Sequence, residues 1–228
     1  AGSDSGSGGP VSTPCATINR GITRARDDGL TTVQVATGTY ARFDVISGIS
    51  VQGGFSSDFQ NPDAGTSTVT VSTVGSTYSG ILANAVRSAT TVSGFRVNGV
   101  SADAGAFHQG VIVENGTTAL TLDDIVVTGG SGAAATGVLV QGASSVALTG
   151  STVGSGTPVG VGQSAYGLRV IGSSTANVTG GTISAASGVA AVDAAAQKPT
   201  TPSVLCNGSN GGNASGPSSP GGGGGVCA

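Results

Sequence analysis

The chain has no tryptophan and no methionine, a single histidine, and little charge. Asp, Glu, Lys and Arg make up 8% of its 228 residues, and aromatics 4%. An ordinary soluble domain carries about 25% charged residues. The eight Lys and Arg are too few and too scattered to neutralise a phosphate backbone, which excludes nucleic acid as a partner. No apolar run approaches the roughly 18 residues of a spanning helix, so no membrane span is expected. The lone imidazole, His108, has no partner at metal-ligand or triad spacing. No strand–GxGxxG–helix pattern occurs either, so no cofactor is expected. The missing Met and the opening Ala1-Gly2-Ser3-Asp4 are expected of a processed, exported chain. Three Cys in so charge-poor a sequence fit an oxidising compartment, secreted, extracellular or at the cell surface.

What is abundant is glycine, 42 residues, together with Val, Ala, Ile, Ser and Thr. Branched side chains pack well on pleated surfaces and favour strands. Residues 1–14 read as a Gly/Ser-rich lead-in. Residues 15–29 read as a short amphipathic helix, with Ile18, Ile22 and Ala25 on one face and Gly29 as its stop. From there strand patterns dominate, as in TTVQVATGTY at 31–40 and STVTVST at 67–73.

Beyond residue 79 the chain repeats itself. Four segments carry glycine at their second position, Gly80, Gly110, Gly137 and Gly167, spaced by 30, 27 and 30 residues. Each continues with an apolar strand, a polar turn, an alternating strand and a Gly/Thr corner. Such a period without helices indicates a solenoid, whose turns bury their inner faces against one another. The expected fold is all-β, a right-handed parallel β-helix over 30–197. The helix caps it, and a Gly/Ser/Pro-rich tail follows at 198–228. A β-sandwich would show hairpin turns between successive strands, and a propeller blade needs about 40 residues. Ile81, Val111, Val113, Val138, Val140, Leu148, Leu168, Val170 and Val178 are the expected inward ladder. Asn84, Asn98, Asn115 and Asn177 are candidate corners, where a left-handed backbone is needed.

PCATI followed by a short helix, a strand ending in ATGTY, and VQGGF followed by SSDFQNPD together resemble the opening of bacterial right-handed parallel β-helix repeat surface proteins. The resemblance covers about residues 14–63 by motif and the later turns by pattern. It implies the pectate-lyase-like fold and export. It brings no catalytic residue with it.

Chemistry is harder to find. The one repeat holding several acids offers Glu114, Asp123 and Asp124, to which Asp103 and His108 on the preceding loop could add. A weak cation or sugar site is the sharp reading there, and a corner Asp is the plain one. Neighbouring residues of a strand face opposite sides, so Asp123 and Asp124 share a face only at a corner. Thr-x-Thr pairs such as Thr68 and Thr70 suit an ice-binding face, but the later repeats do not keep them. Cys15, Cys206 and Cys227 are an odd set, so either an intersubunit disulfide or a Cys206–Cys227 loop is expected. These readings point to a non-catalytic extracellular subunit that self-associates end to end, head to tail, as a surface or filament protein. A carbohydrate-binding or ice-binding module, with polysaccharide as partner, is the alternative. A polysaccharide lyase or hydrolase ranks last, and the chain is expected not to be an enzyme.

Overall fold

The computed structural model describes residues 2–5, 11–62, 65–74, 77–99 and 107–190. Helix α1 (Ile18–Asp27) opens the fold. Thr17 caps it, its side chain accepting from the Arg20 amide, which satisfies one of the unpaired donors of the first turn. Ile18, Ile22 and Ala25 are buried, as their spacing predicts. Gly29 follows with φ +69°, a left-handed residue suited to leaving a helix.

The chain then coils. The first turn is β1 (Thr32–Ala36), β2 (Gly38–Ala41) and β3 (Phe43–Val45). The second is β4 (Ser50–Phe55), β5 (Ser67–Thr70), a side hairpin of β6 (Ser72–Val74) and β7 (Thr77–Ser79), then β8 (Ile81–Asn84). Three further turns follow. They are β9 (Thr90–Ser93), β10 (Phe95–Asn98) and β11 (Phe107–Glu114); β12 (Leu120–Asp123), β13 (Val126–Thr128) and β14 (Ala134–Val140); and β15 (Ser145–Thr149), β16 (Thr152–Gly154) and β17 (Ala165–Val170). β18 (Thr175–Thr179) and β19 (Thr182–Ser184) begin another.

Corresponding strands stack into three parallel sheets. The first runs β1-β4-β9-β12-β15-β18 and the second β2-β5-β10-β13-β16-β19. The third stacks β3, β8, β11, β14 and β17, with β7 also on β11. Except between β6 and β7, which pair antiparallel, the ladders named here are parallel. The register reproduces the repeat, since Ile81, Val111, Val138 and Leu168 stand in one column. The glycine before each is required by close approach. A Cβ on Gly110 would strike Val127 Cγ1 and stand 2.8 Å from the Gly137 carbonyl.

The interior is a set of aliphatic ladders. Ile81, Val111, Val113, Val138, Val140 and Leu148 are buried as expected. The final level departs from expectation: Val170 is 38% and Val178 41% exposed, and Leu168 is only partly buried. Among the described residues no further strand stacks on that level, and only the segment at Val189 and Ala190 reaches back to it, through Gln163 and Gly162, so its inner face is half covered. The corners also differ from expectation. Asn115 is left-handed (φ 56°), but Ala85 (φ 54°) takes that role instead of Asn84, Asn98 ends β10, and Asn177 lies inside β18. A column of hydroxyls closes this corner instead. Ser144 Oγ accepts from the Thr117 amide at 3.2 Å, and Ser174 Oγ from the Ser144 amide at 3.0 Å.

The opposite end is closed. Helix α1 packs its apolar face on the first turn, and the Asn19 side chain imitates a neighbouring strand. Its Nδ2 donates to the Arg42 carbonyl (3.2 Å) and its Oδ1 accepts from the Asp44 amide (2.9 Å). An edge strand otherwise offers such groups to other chains. A head-to-tail contact, expected from the sequence, would therefore meet the helix and not a bare strand edge.

Candidate functional site

The acids singled out in the sequence do not converge. Asp123 ends β12 in the first sheet, between Ser93 and Thr149. Asp124 is the next corner, with φ 47°, as the plain reading has it. Glu114 ends β11 in the third sheet. Asp103 lies outside the described residues. His108 is fully buried and stacks on Tyr78, with ring centroids 4.2 Å apart. Neither of its ring nitrogens has a hydrogen-bond partner, and burial lowers its pKa below the ordinary value.

Thr residues do form outward rows. Thr39 stands beside Thr68, but the row continues through Arg96 and Val126. Thr121 faces Ala147. No continuous Thr-x-Thr face results from these rows. Cys15 carries a free, part-buried thiol, and burial pushes its pKa up, with the Asp4 carboxylate adding to the effect. Cys206 and Cys227 lie outside the described residues.

Two depressions stand out among the described residues. One, of about 580 Å³, lies between α1 and β1. Its two charged side chains, Arg24 and Asp28, are bound to each other at 2.9 Å, and the rest is mainly aliphatic cap packing. The other, of about 440 Å³, lies on the outer face of the third sheet. It has the chemistry of a site.

That groove follows from strand alternation. Where Ile81, Val111, Val113, Val138 and Val140 point inward, the residues between them point out. Their register forms an outward column Asp44–Leu82–Ile112–Leu139–Arg169. Its middle three residues are an apolar strip, Leu82 part-exposed and Ile112 and Leu139 only 4% and 7% exposed. At about 4.8 Å per level, the column spans roughly 19 Å along the coil. Two residues further along the strands runs a polar row. Glu114 accepts from Asn84 Nδ2 (3.3 Å) on one oxygen and from Gln141 Nε2 (2.9 Å) on the other. Ser79 and Gln109 flank the other side of the strip, and Phe107, 53% exposed, stands at the rim.

The Ser79 hydroxyl lines this groove, is fully buried, and has no hydrogen-bond partner. Buried polar atoms almost always have one, from protein, water or ligand. Arg42 closes the groove near the first turn, bound to Asp44 at 2.9 Å. Arg169 closes it near the last, its guanidinium 4.9 Å from the centre of the Tyr166 ring. An apolar floor with a few convergent polar groups, in a volume of this size, is the usual anatomy of a small-ligand or polymer site.

Apart from Glu114, these residues were missed in the sequence because they come from separate turns. The signal was present, though. Aligned on Gly80, Gly110, Gly137 and Gly167, the second residue after each glycine gives Leu82, Ile112, Leu139 and Arg169. The fourth gives Asn84, Glu114, Gln141 and Ile171.

No protein-family model matches the chain, and no curated protein does. Among solved structures, a chain from Parabacteroides merdae ATCC 43184, provisionally named a glycosyl hydrolase, is similar over 72% of this chain and 88% of its own. The TM-score is 0.38 and the identity 12%. The expectation that the chain is not an enzyme is corrected on this finding, because the similar chain carries an enzyme's name. At that level of likeness no activity passes from one chain to the other.

Proposed function

We propose that this chain is an exported, surface-displayed β-helix that binds an extended polysaccharide along the outer groove of its third sheet. The observation that carries the reading is the Ser79 hydroxyl, buried in the groove without a partner. Its missing hydrogen bond is one a ligand hydroxyl supplies. The surroundings suit a sugar polymer. Leu82, the part-exposed member of the strip, and Phe107 at the rim, 53% exposed, meet the apolar faces of sugar rings. The Asn84–Glu114–Gln141 row offers donors and acceptors beside it at every level, and a repeating polymer matches a repeating scaffold. Export is supported by the charge-poor composition and by the resemblance of the opening segment.

The test is binding of the full chain to an array of neutral and acidic glycans, followed by calorimetry with the best binder. A hydrogen bond made in a buried site contributes about 1–1.5 kcal/mol. Ser79→Ala and Gln141→Ala should therefore each weaken binding roughly tenfold while leaving the melting temperature near that of the parent. Absence of binding to every glycan, or a binder indifferent to both substitutions, overturns the proposal.

A further inference from the structure

The charges in the groove are not equally engaged. Arg42 is bound to Asp44 and only 10% exposed. Both Glu114 oxygens accept from amides. Arg169 differs: among the described residues its guanidinium makes neither an ion pair nor a hydrogen bond, only the cation–ring contact with Tyr166. A guanidinium held over a ring face keeps all its N–H donors for other partners. A planar fork of donors matches a carboxylate or an ester sulfate, which can accept two parallel hydrogen bonds. Arg169 lies beside Leu139 in the outward column, so an anion held there belongs to a ligand already lying on the apolar strip.

We propose that Arg169 makes the groove selective for glycans bearing an anionic substituent, a carboxylate or sulfate ester, at the end nearest the last turn. The proposal rests on the groove being a glycan site. Tyr166 acts as the positioning residue, because its ring face holds the guanidinium at that end of the groove.

The experiment is a titration of the full chain, isotopically labelled, with glucose, sodium glucuronate, glucose 6-sulfate and sodium sulfate, read by NMR. Two signals are followed, the Arg169 Nε–H and the Gln141 side-chain amide. Glucuronate and glucose 6-sulfate should move both, and glucose only Gln141. Arg169→Gln should weaken glucuronate binding about tenfold, to the level of glucose. Arg96→Gln serves as the control, since it removes an equal charge from an exposed position on the second sheet, and it should leave binding unchanged.

Equal glucuronate affinity in the parent and Arg169→Gln overturns the proposal. So does an equal loss in Arg96→Gln, which would make the effect one of net charge. A response to sodium sulfate as large as to either acidic sugar, an adventitious ion only, overturns it as well. If Gln141 moves with glucose but Arg169 ignores both acidic sugars, the selectivity fails while the glycan reading stands. If no sugar moves Gln141, the glycan reading itself fails. A response to only one acidic sugar identifies which anion the fork takes.

Discussion

Val92 and Val178 belong to one inward row, Val51–Val92–Leu122–Leu148–Val178. Val92 is fully buried and Val178 is 41% exposed. Replacing each by Ala deletes the same two methyl groups, so the pair measures position and not chemistry. Two buried carbons are worth about 1.6 kcal/mol in transfer. At Val92 the vacated space is closed by Val51 and Leu122 on either side, and the cavity adds roughly 1 kcal/mol. Val92→Ala should therefore cost about 2.5 kcal/mol. At Val178 about three-fifths of the transfer remains and no enclosed cavity forms, giving about 1 kcal/mol. Urea titration followed by circular dichroism at a strand wavelength reads the difference. With a common slope in the usual range, the two midpoints should separate by roughly 1 M. Equal midpoints would refute the reasoning, because the last level would then be covered in solution as fully as the interior.

Other expectations concern charge and capping. Burial depresses the His108 pKa below the ordinary 6.5. Below that value the unfolded chain takes up a proton that the folded chain does not, so stability is flat above about pH 7 and falls by up to about 1.4 kcal/mol per unit as pH drops toward 5. His108→Phe, which keeps a ring against Tyr78, should flatten the profile in that window, and an unchanged slope counts against the buried neutral imidazole. Val140→Asp should leave no folded protein, since a carboxylate in that ladder has no partner; a soluble variant with unchanged melting would refute the inward assignment. Asn19→Ala removes two edge hydrogen bonds and should lower stability by about 1–2 kcal/mol, read from the thermal midpoint. Cys15, whose pKa burial raises, should react with a thiol reagent at neutral pH more slowly than free cysteine.

Much of the fold was legible because a solenoid writes its geometry into the sequence at a fixed period. The glycine spacing of 30, 27 and 30 residues reappears as the register joining Ile81, Val111, Val138 and Leu168. The cap face Ile18–Ile22–Ala25 followed from helical spacing alone. What was less legible depends on position along the coil. Val178 carries the same ladder signal as Leu148, yet it is half exposed because it sits on the final level. Corner chemistry also resisted, because a left-handed residue can be Asn115 in one turn and Ala85 in another, with the hydroxyls of Thr117, Ser144 and Ser174 closing the corner. The groove was the hardest feature to read. Each turn contributes one apolar and one polar outward residue, and no single repeat looks like a site until the turns are stacked.

The two ends of the coil decide how copies of it can meet. Strand edges at the first turn are met by α1, and Asn19 satisfies the Arg42 carbonyl and the Asp44 amide that a second copy would need. At the other end Val170, Val178 and Ile183 are 38%, 41% and 38% exposed, and β18 and β19 carry no charged residue or proline, the usual defences of an edge. A head-to-tail contact joins unlike ends and propagates, whereas a contact between two like ends has twofold symmetry and stops at a pair. With one end closed by a helix, association through strand edges can use only like ends. Mass photometry of the reduced full chain should therefore show nothing larger than a pair. A ladder of higher species that persists under reduction would mean that α1 leaves the first turn, and Asn19→Ala should then lengthen that ladder by weakening the helix's hold on β3.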